Sequence, residues 1–208
     1  MPDLLQSLSE SARVEVLAAA AAVEVANAPV PTQAFSALAD PALRAAVEEA
    51  LGAAGRCLVR HDSGWVSGYR DDIADQLVER GLGVLKSKDR AVLVLVLLHT
   101  VAIPRARGRI DSEDWTLSEP TSVEQLERNR NLNATDIRRS LRRLRTLGVL
   151  RYGHRSAIAP GPQFLRLTQQ RNMRLWEELV LLCRPDGMLA NVLRRRRADR
   201  QREEALGA

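Results

Sequence analysis

Ile137, Leu141, Leu144 and Leu147 recur at intervals of four, three and three residues, the spacing of one face of an α-helix. Thr135, Arg139, Arg142 and Thr146 then fall on the opposite face, flanked by Arg138 and Arg143. Asn133 is placed to cap this helix, and Asp136 sits near its positive end. Gly148 stops it, because glycine takes the left-handed position after a helix without a Cβ penalty. The pattern predicts a short capped helix carrying a comb of arginines. These side chains lie off the apolar face, so replacing them is expected to leave the fold intact.

The same reading extends in both directions. Residues 89–101 are apolar nearly all round and predict a buried helix. Residues 104–121 are rich in charge and turn formers and predict a long loop. Residues 122–130 predict a short helix, with Thr121 and Glu124 as a capping box. Residues 131–133 turn into the arginine helix. After it, residues 149–152 and 163–167 predict two strands of a hairpin, separated by turn formers that include Gly153, Pro160, Gly161 and Pro162. A further helix spans 168–183, and Pro185 and Gly187 break it.

The first part of the chain repeats this order. Residues 11–25 predict an alanine-rich helix, and residues 33–39 a short helix capped by Thr32. Residues 41–51 predict a helix with Asp40 as cap and Pro41 at its first position, ended by Gly52 and Gly55. Residues 57–60 and 65–66 predict a hairpin, and residues 69–85 a linking helix closed by Gly81 and Gly83. Helix, helix-turn-helix and two-stranded hairpin, in that order, resemble a winged helix-turn-helix. The resemblance rests on element order and on LRRLRTLGVLRY, where a helix end runs through glycine into a strand. It covers residues 86–168, and residues 9–70 follow the same order. The expected fold is mainly α with short β-hairpin wings, as two winged modules in tandem plus a C-terminal helix. The expected divisions are 1–85, 86–168 and 169–208.

Charge separates the two modules. Residues 1–85 hold 6 arginines and 12 acidic residues, a net of −6, whereas residues 86–208 carry +11. Such asymmetry points to divided labour. An acidic module is repelled by a polyanion, so the first module fits a protein contact better. Its exposed helix residues Arg44, Glu48 and Glu49 are candidates for that contact. In the second module, Thr135, Arg138, Arg139, Arg142 and Arg143 are candidates for the groove and phosphates of duplex DNA, with Arg151 and Arg155 on the wing. Arg194, Arg195 and Arg196 belong to a basic run that is either a solvated tail or a non-specific grip on DNA.

Catalytic chemistry finds little footing. His61, His99 and His154 lie far apart, and none has metal-ligand spacing to a cysteine or carboxylate. There is no phosphate-binding glycine loop followed by Lys-Ser or Lys-Thr. The aromatic residues are scattered along the chain, which disfavours a stacking platform for single strands. No enzyme, cofactor or metal is expected. Cys57 and Cys183 are isolated, and no apolar segment is long enough to span a membrane. With no secretory signal at the start, a cytoplasmic protein with two free thiols is expected.

Two functions remain open. One is a duplex DNA-binding protein acting through the second winged helix. The other follows from a further resemblance: tandem winged helices are similar in architecture to the kite subunits of bacterial SMC complexes, of MukE, MksE and ScpB type. That resemblance implies a homodimer that holds a kleisin chain. A ligand-sensing regulator would need a sensing domain, and none is evident.

Overall fold

The computed structural model describes residues 4–110, 114–153, 156–183, 187, 191, 192, 194–196, 198, 199 and 202. The fold is mainly α with two small antiparallel hairpins. In the first module, α1 (Leu4–Ser7) and α2 (Glu10–Val25) precede α3 (Ser36–Ala39) and α4 (Pro41–Ala53). Strands β1 (Arg56–His61) and β2 (Gly64–Tyr69) form the first hairpin, and α5 (Asp71–Glu79) follows. The Asp40 carboxylate accepts hydrogen bonds from the amides of Ala42 and Leu43 at 2.7 and 3.1 Å, as its position before Pro41 predicts. Val16, Val23, Leu38, Val47 and Leu51 are sealed between α2, α3 and α4.

The second module repeats the plan. It comprises α6 (Ser87–Leu97), α7 (Ile103–Ala106), α8 (Val123–Glu127), α9 (Ala134–Thr146), β3 (Leu150–Tyr152) and β4 (Ile158–Pro160). Its core joins Val92 and Val96 of α6 to Leu126, Ile137, Leu141, Leu144, Leu150 and Ile158. The repeat extends to a detail. Val30 bridges to Trp65 on the second strand of the first wing, and Thr121 bridges to Ile158 on the second strand of the other. Each wing therefore has a one-residue third strand supplied by the segment just before the helix-turn-helix. Finally α10 (Gln169–Cys183) packs Leu179 against Leu97, Val101, Trp115 and Phe164.

Several sequence expectations need correction. The second strand of the second wing is Ile158–Pro160; the expected 163–167 is a 3₁₀ turn, Pro162–Arg166. Pro162 lacks an amide proton and suits the start of a helical turn better than a strand interior. Thr32 caps no helix, since it lies in a 3₁₀ turn and its hydroxyl accepts from Trp65 Nε1 at 3.1 Å. Ser122, not Thr121, caps α8, accepting from the Gln125 amide at 3.2 Å, while Thr121 is held in its β-bridge. Gly52 lies inside α4, and only Gly55 takes positive φ after it. The linking helix and α8 are both shorter than expected.

The largest departure is at 98–121. Leu98–Ala102 form a π-helical turn, and the helix then continues through Pro104 to Ala106. Proline offers no amide to the carbonyl four residues back and crowds it. That carbonyl belongs to Thr100, and the Glu119 amide bonds it instead at 2.9 Å. The segment read as a long loop thus begins as a continuation of the helix and is tied back to it at Thr100. Trp115 within it is 3% exposed and stacks on Trp176 with ring centroids 4.9 Å apart. Aromatic residues scattered in sequence gather here, with Phe164 5.4 Å from Trp115.

Candidate nucleic-acid and partner interface

Helix α9 forms as its pattern predicts. The Asn133 side chain accepts from the Thr135 amide at 2.8 Å, and Gly148 closes the other end at φ +69°. Ile137, Leu141 and Leu144 are buried, whereas Thr135, Arg138, Arg139, Arg142 and Arg143 are exposed.

Exposure alone does not make these arginines available. Arg138 forms a two-pronged ion pair with Glu127 of α8, at 2.6 and 3.1 Å, and this bond raises its pKa above the ordinary value. Arg139 lies 3.8 Å from Asp136, which also accepts from Lys88 at 2.6 Å; the Lys88 bond holds the Asp136 carboxyl below its usual range. Arg143 reaches Asp89 of α6 at 3.4 Å. Asp89 is buried, and it also accepts from the Ser140 hydroxyl at 2.6 Å. Arg143 thus lies off the apolar face, as its spacing predicts, yet it is tied to the buried Asp89 of α6. Arg145 lies over the Tyr152 ring, 4.9 Å from its centroid. Arg142 has no acidic partner among the described residues, and the same holds for Arg128 and Arg130 beside the turn.

The other predicted residues are spread out. Arg151 on β3 donates to the carbonyls of Pro160 at 3.2 Å and Thr116 at 2.9 Å, which ties the wing to the 114–117 segment. Arg155, with His154, lies outside the described residues. Arg194, Arg195 and Arg196 are exposed, and Arg194 donates to Asn191 at 3.1 Å. In the first module, Arg44 folds inward: it donates to the carbonyls of Leu38 and Ala39 and lies 5.3 Å from the Trp65 ring centroid. Glu49 accepts from the Leu4 amide at 3.1 Å, which leaves Glu48 as the exposed acid of that trio.

Sequence reasoning missed what joins the modules. Arg166, at the end of the 3₁₀ turn after β4, donates to the carbonyls of Ser67, Glu24 and Ala26, each at 2.7 Å. Burial, with Arg56 nearby, pushes its pKa below the ordinary value. The turn also lays Leu165 on Val59 and Val66, while His61 Nε2 meets the Leu165 carbonyl at 2.8 Å. Arg171 of α10 binds Asp71 and Asp75 of α5 at 3.3 and 2.6 Å, and the Thr168 hydroxyl donates to Asp71 at 2.7 Å. One face of the first wing is thus covered by the second module. A groove of about 710 Å³ remains at this junction, lined by 58–63, 114, 115, 117, 164, 165, 167–169 and 172. Among the described residues no cluster of His, Cys, Asp or Glu is placed to hold a metal ion, and no helix is long and apolar enough to cross a membrane.

No protein-family model matches the chain, and no curated protein does. A solved structure of ScpB from Mycobacterium tuberculosis aligns over 76% of this chain and 96% of that one, at 17% identity and a TM-score of 0.24. The superposition is too loose to transfer a fold or a function.

Proposed function

We propose that the chain is a non-enzymatic subunit of a DNA-handling assembly, holding a protein partner and touching duplex DNA through its phosphates. The observation that carries this reading is how the arginines are partnered. Arg138 is clasped by Glu127, Arg143 by Asp89 and Arg151 by two carbonyls. Exposed pairs yield readily to phosphate, but reading base edges needs several free side chains held in one geometry. Arg142, Arg139, Arg128 and Arg130 suit a sequence-independent backbone contact. The matching helix α4 offers no basic comb, because Arg44 is folded onto Trp65.

Within this reading, residues 1–85 are the acidic partner-facing module, 86–168 the DNA-facing module, and 169–208 a C-terminal helix with a basic tail. The partner is then a kleisin chain and the assembly a homodimer, a reading supported by the tandem winged order that resembles kite subunits. Unrelated 30-bp duplexes titrated by fluorescence anisotropy test the DNA contact. Affinities should agree within about threefold across sequences and fall steeply with salt. One sequence preferred by about a thousandfold or more would mark a site-specific regulator instead.

A further inference from the structure

We infer that the outer edge of β1 is a docking site for an extended peptide segment of a partner protein, which adds to the first wing as a strand. The inference rests on the reading of this chain as a holder of a protein partner, and it names the main-chain edge of β1, rather than the Glu48 and Glu49 side chains, as what that partner pairs with.

The first sheet has two strands, and β2 is flanked on its far side by Val30, so β1 is the open edge. The direction of its backbone groups follows from the register. Trp65 exchanges both its amide and its carbonyl with Val30, at 2.9 and 2.8 Å, so both point away from β1. Arg60 faces Trp65 across the hairpin. In an antiparallel pair a residue opposite such a partner also turns its own backbone groups outward, and the pattern alternates along the strand. The amides and carbonyls of Leu58 and Arg60 therefore face outward, and among the described residues none has a hydrogen-bond partner.

The groove lies along this edge. It touches Leu58, Val59, Arg60 and His61 in succession. Consecutive strand residues point to opposite faces, so a groove that meets all four follows the strand's edge rather than one face. Its opposite wall includes Leu117, which is 62% exposed, and residues at the start of α10. Unpaired main-chain groups suit main-chain partners, and the wall opposite offers apolar contact at Trp115, Leu117 and Leu167 beside the polar Thr168, Gln169 and Asn172. Both are met by one extended strand with apolar residues at alternate positions. A whole sheet edge from a second copy does not suit a walled groove of this size. Six residues of β1 offer about 20 Å for pairing.

The probe is the tightest binder selected from a displayed library of random nine-residue peptides against the full chain. Arg60→Pro removes an outward amide, a change that edge strands tolerate, and Arg60→Ala keeps it. Pro at 60 should weaken the peptide by at least about tenfold and Ala by less than about threefold. Leu58→Pro repeats the test at the second amide, and a melting curve confirms folding in each case. Amide resonances of Leu58 and Arg60 should shift on binding. Equal binding by the intact chain and both proline variants would overturn the inference. So would a selected peptide that shifts amides elsewhere, although the partner reading would then survive. A dimer that Arg60→Pro converts to monomer would assign the edge to a second copy, against the inference. If no peptide is selected, the inference falls, while the parent reading stands or falls with the duplex titration.

Discussion

Arg143 reaches from the exposed side of α9 back to Asp89, 3.4 Å away, and Asp89 is only 4% exposed beneath it. A buried carboxylate with one ion-pair partner and one hydroxyl depends on both. Arg143→Ala should leave Asp89 with Ser140 alone and cost about 1–3 kcal/mol, because a buried charged group loses a partner. Arg142→Ala, on the same helix with no acidic partner among the described residues, should stay within about 0.5 kcal/mol. Urea unfolding of the two variants measures the difference. Equal stabilities would show that Arg143 contributes nothing to the fold.

The salt dependence of DNA binding separates the same arginines. Replacing Arg139 and Arg142 together should lower the slope of log K against log salt by up to about 0.9 for each lost phosphate contact. Stability should hardly change. A variant with unaltered affinity and slope would remove α9 from the DNA surface.

Arg166 should act as the clasp between the modules. Arg166→Ala leaves the carbonyls of Ser67, Glu24 and Ala26 without their shared donor, at a cost of about 2–3 kcal/mol. Lysine cannot restore the planar fork that serves three acceptors. Unfolding of Arg166→Ala should broaden or split into two steps as the modules uncouple. A single sharp transition at the original midpoint would contradict this.

Two glycines should respond in opposite directions. A Cβ on Gly68 would lie 2.3 Å from the Arg166 carbonyl oxygen, so Gly68→Ala forces the modules apart and should cost about 1–3 kcal/mol or more. A Cβ on Gly52 meets nothing within 4 Å, and that residue is inside α4. Gly52→Ala should stabilise by about 0.4–1 kcal/mol. Thermal melts of the pair decide the point, and a stabilised Gly68→Ala would disprove the close approach.

His99 makes stability depend on pH. Burial lowers its pKa from the ordinary 6.5, and Gln125 Nε2 lies 3.1 Å from its Nδ1, where an amide donor favours the neutral ring. The unfolded chain takes up this proton first as pH falls. The contribution of neutral His99 is therefore complete above about 6.5 and lost as pH drops through the lowered value. Melting temperatures of the intact chain and of His99→Gln, measured against pH, should converge through that window. Parallel curves would exclude the effect.

The parts of the fold that were legible from sequence are those set by local signals. The buried Ile137, Leu141 and Leu144 of α9, its Asn133 cap and Gly148, and the Asp40–Pro41 start of α4 appear where the pattern put them, whereas Leu147, read onto the same apolar face, is an exposed cap residue. The short elements were less legible. Ile158–Pro160 is a strand because it pairs with Leu150–Tyr152 and Thr121, and three residues ending in proline carry no periodic signal of their own. Trp115 and Trp176 stack across some sixty residues of chain, which no local window contains. At the site, the arginines were visible and their acid partners were not. Glu127 and Asp89 are ordinary surface and helix-start acids in sequence, and only the tertiary packing of α8 and α6 on α9 brings them to Arg138 and Arg143 respectively.

The Arg166 clasp has one further consequence, for leverage. The first wing is trapped along one face, with Leu165 pressed on it and Arg171 gripping the helix that follows. The two modules behave as arms of a single bracket. Whatever seats itself on the first arm meets a second arm already clasped to it, so the contacts of Arg166 and Arg171 set the bearing of α9 relative to that cargo.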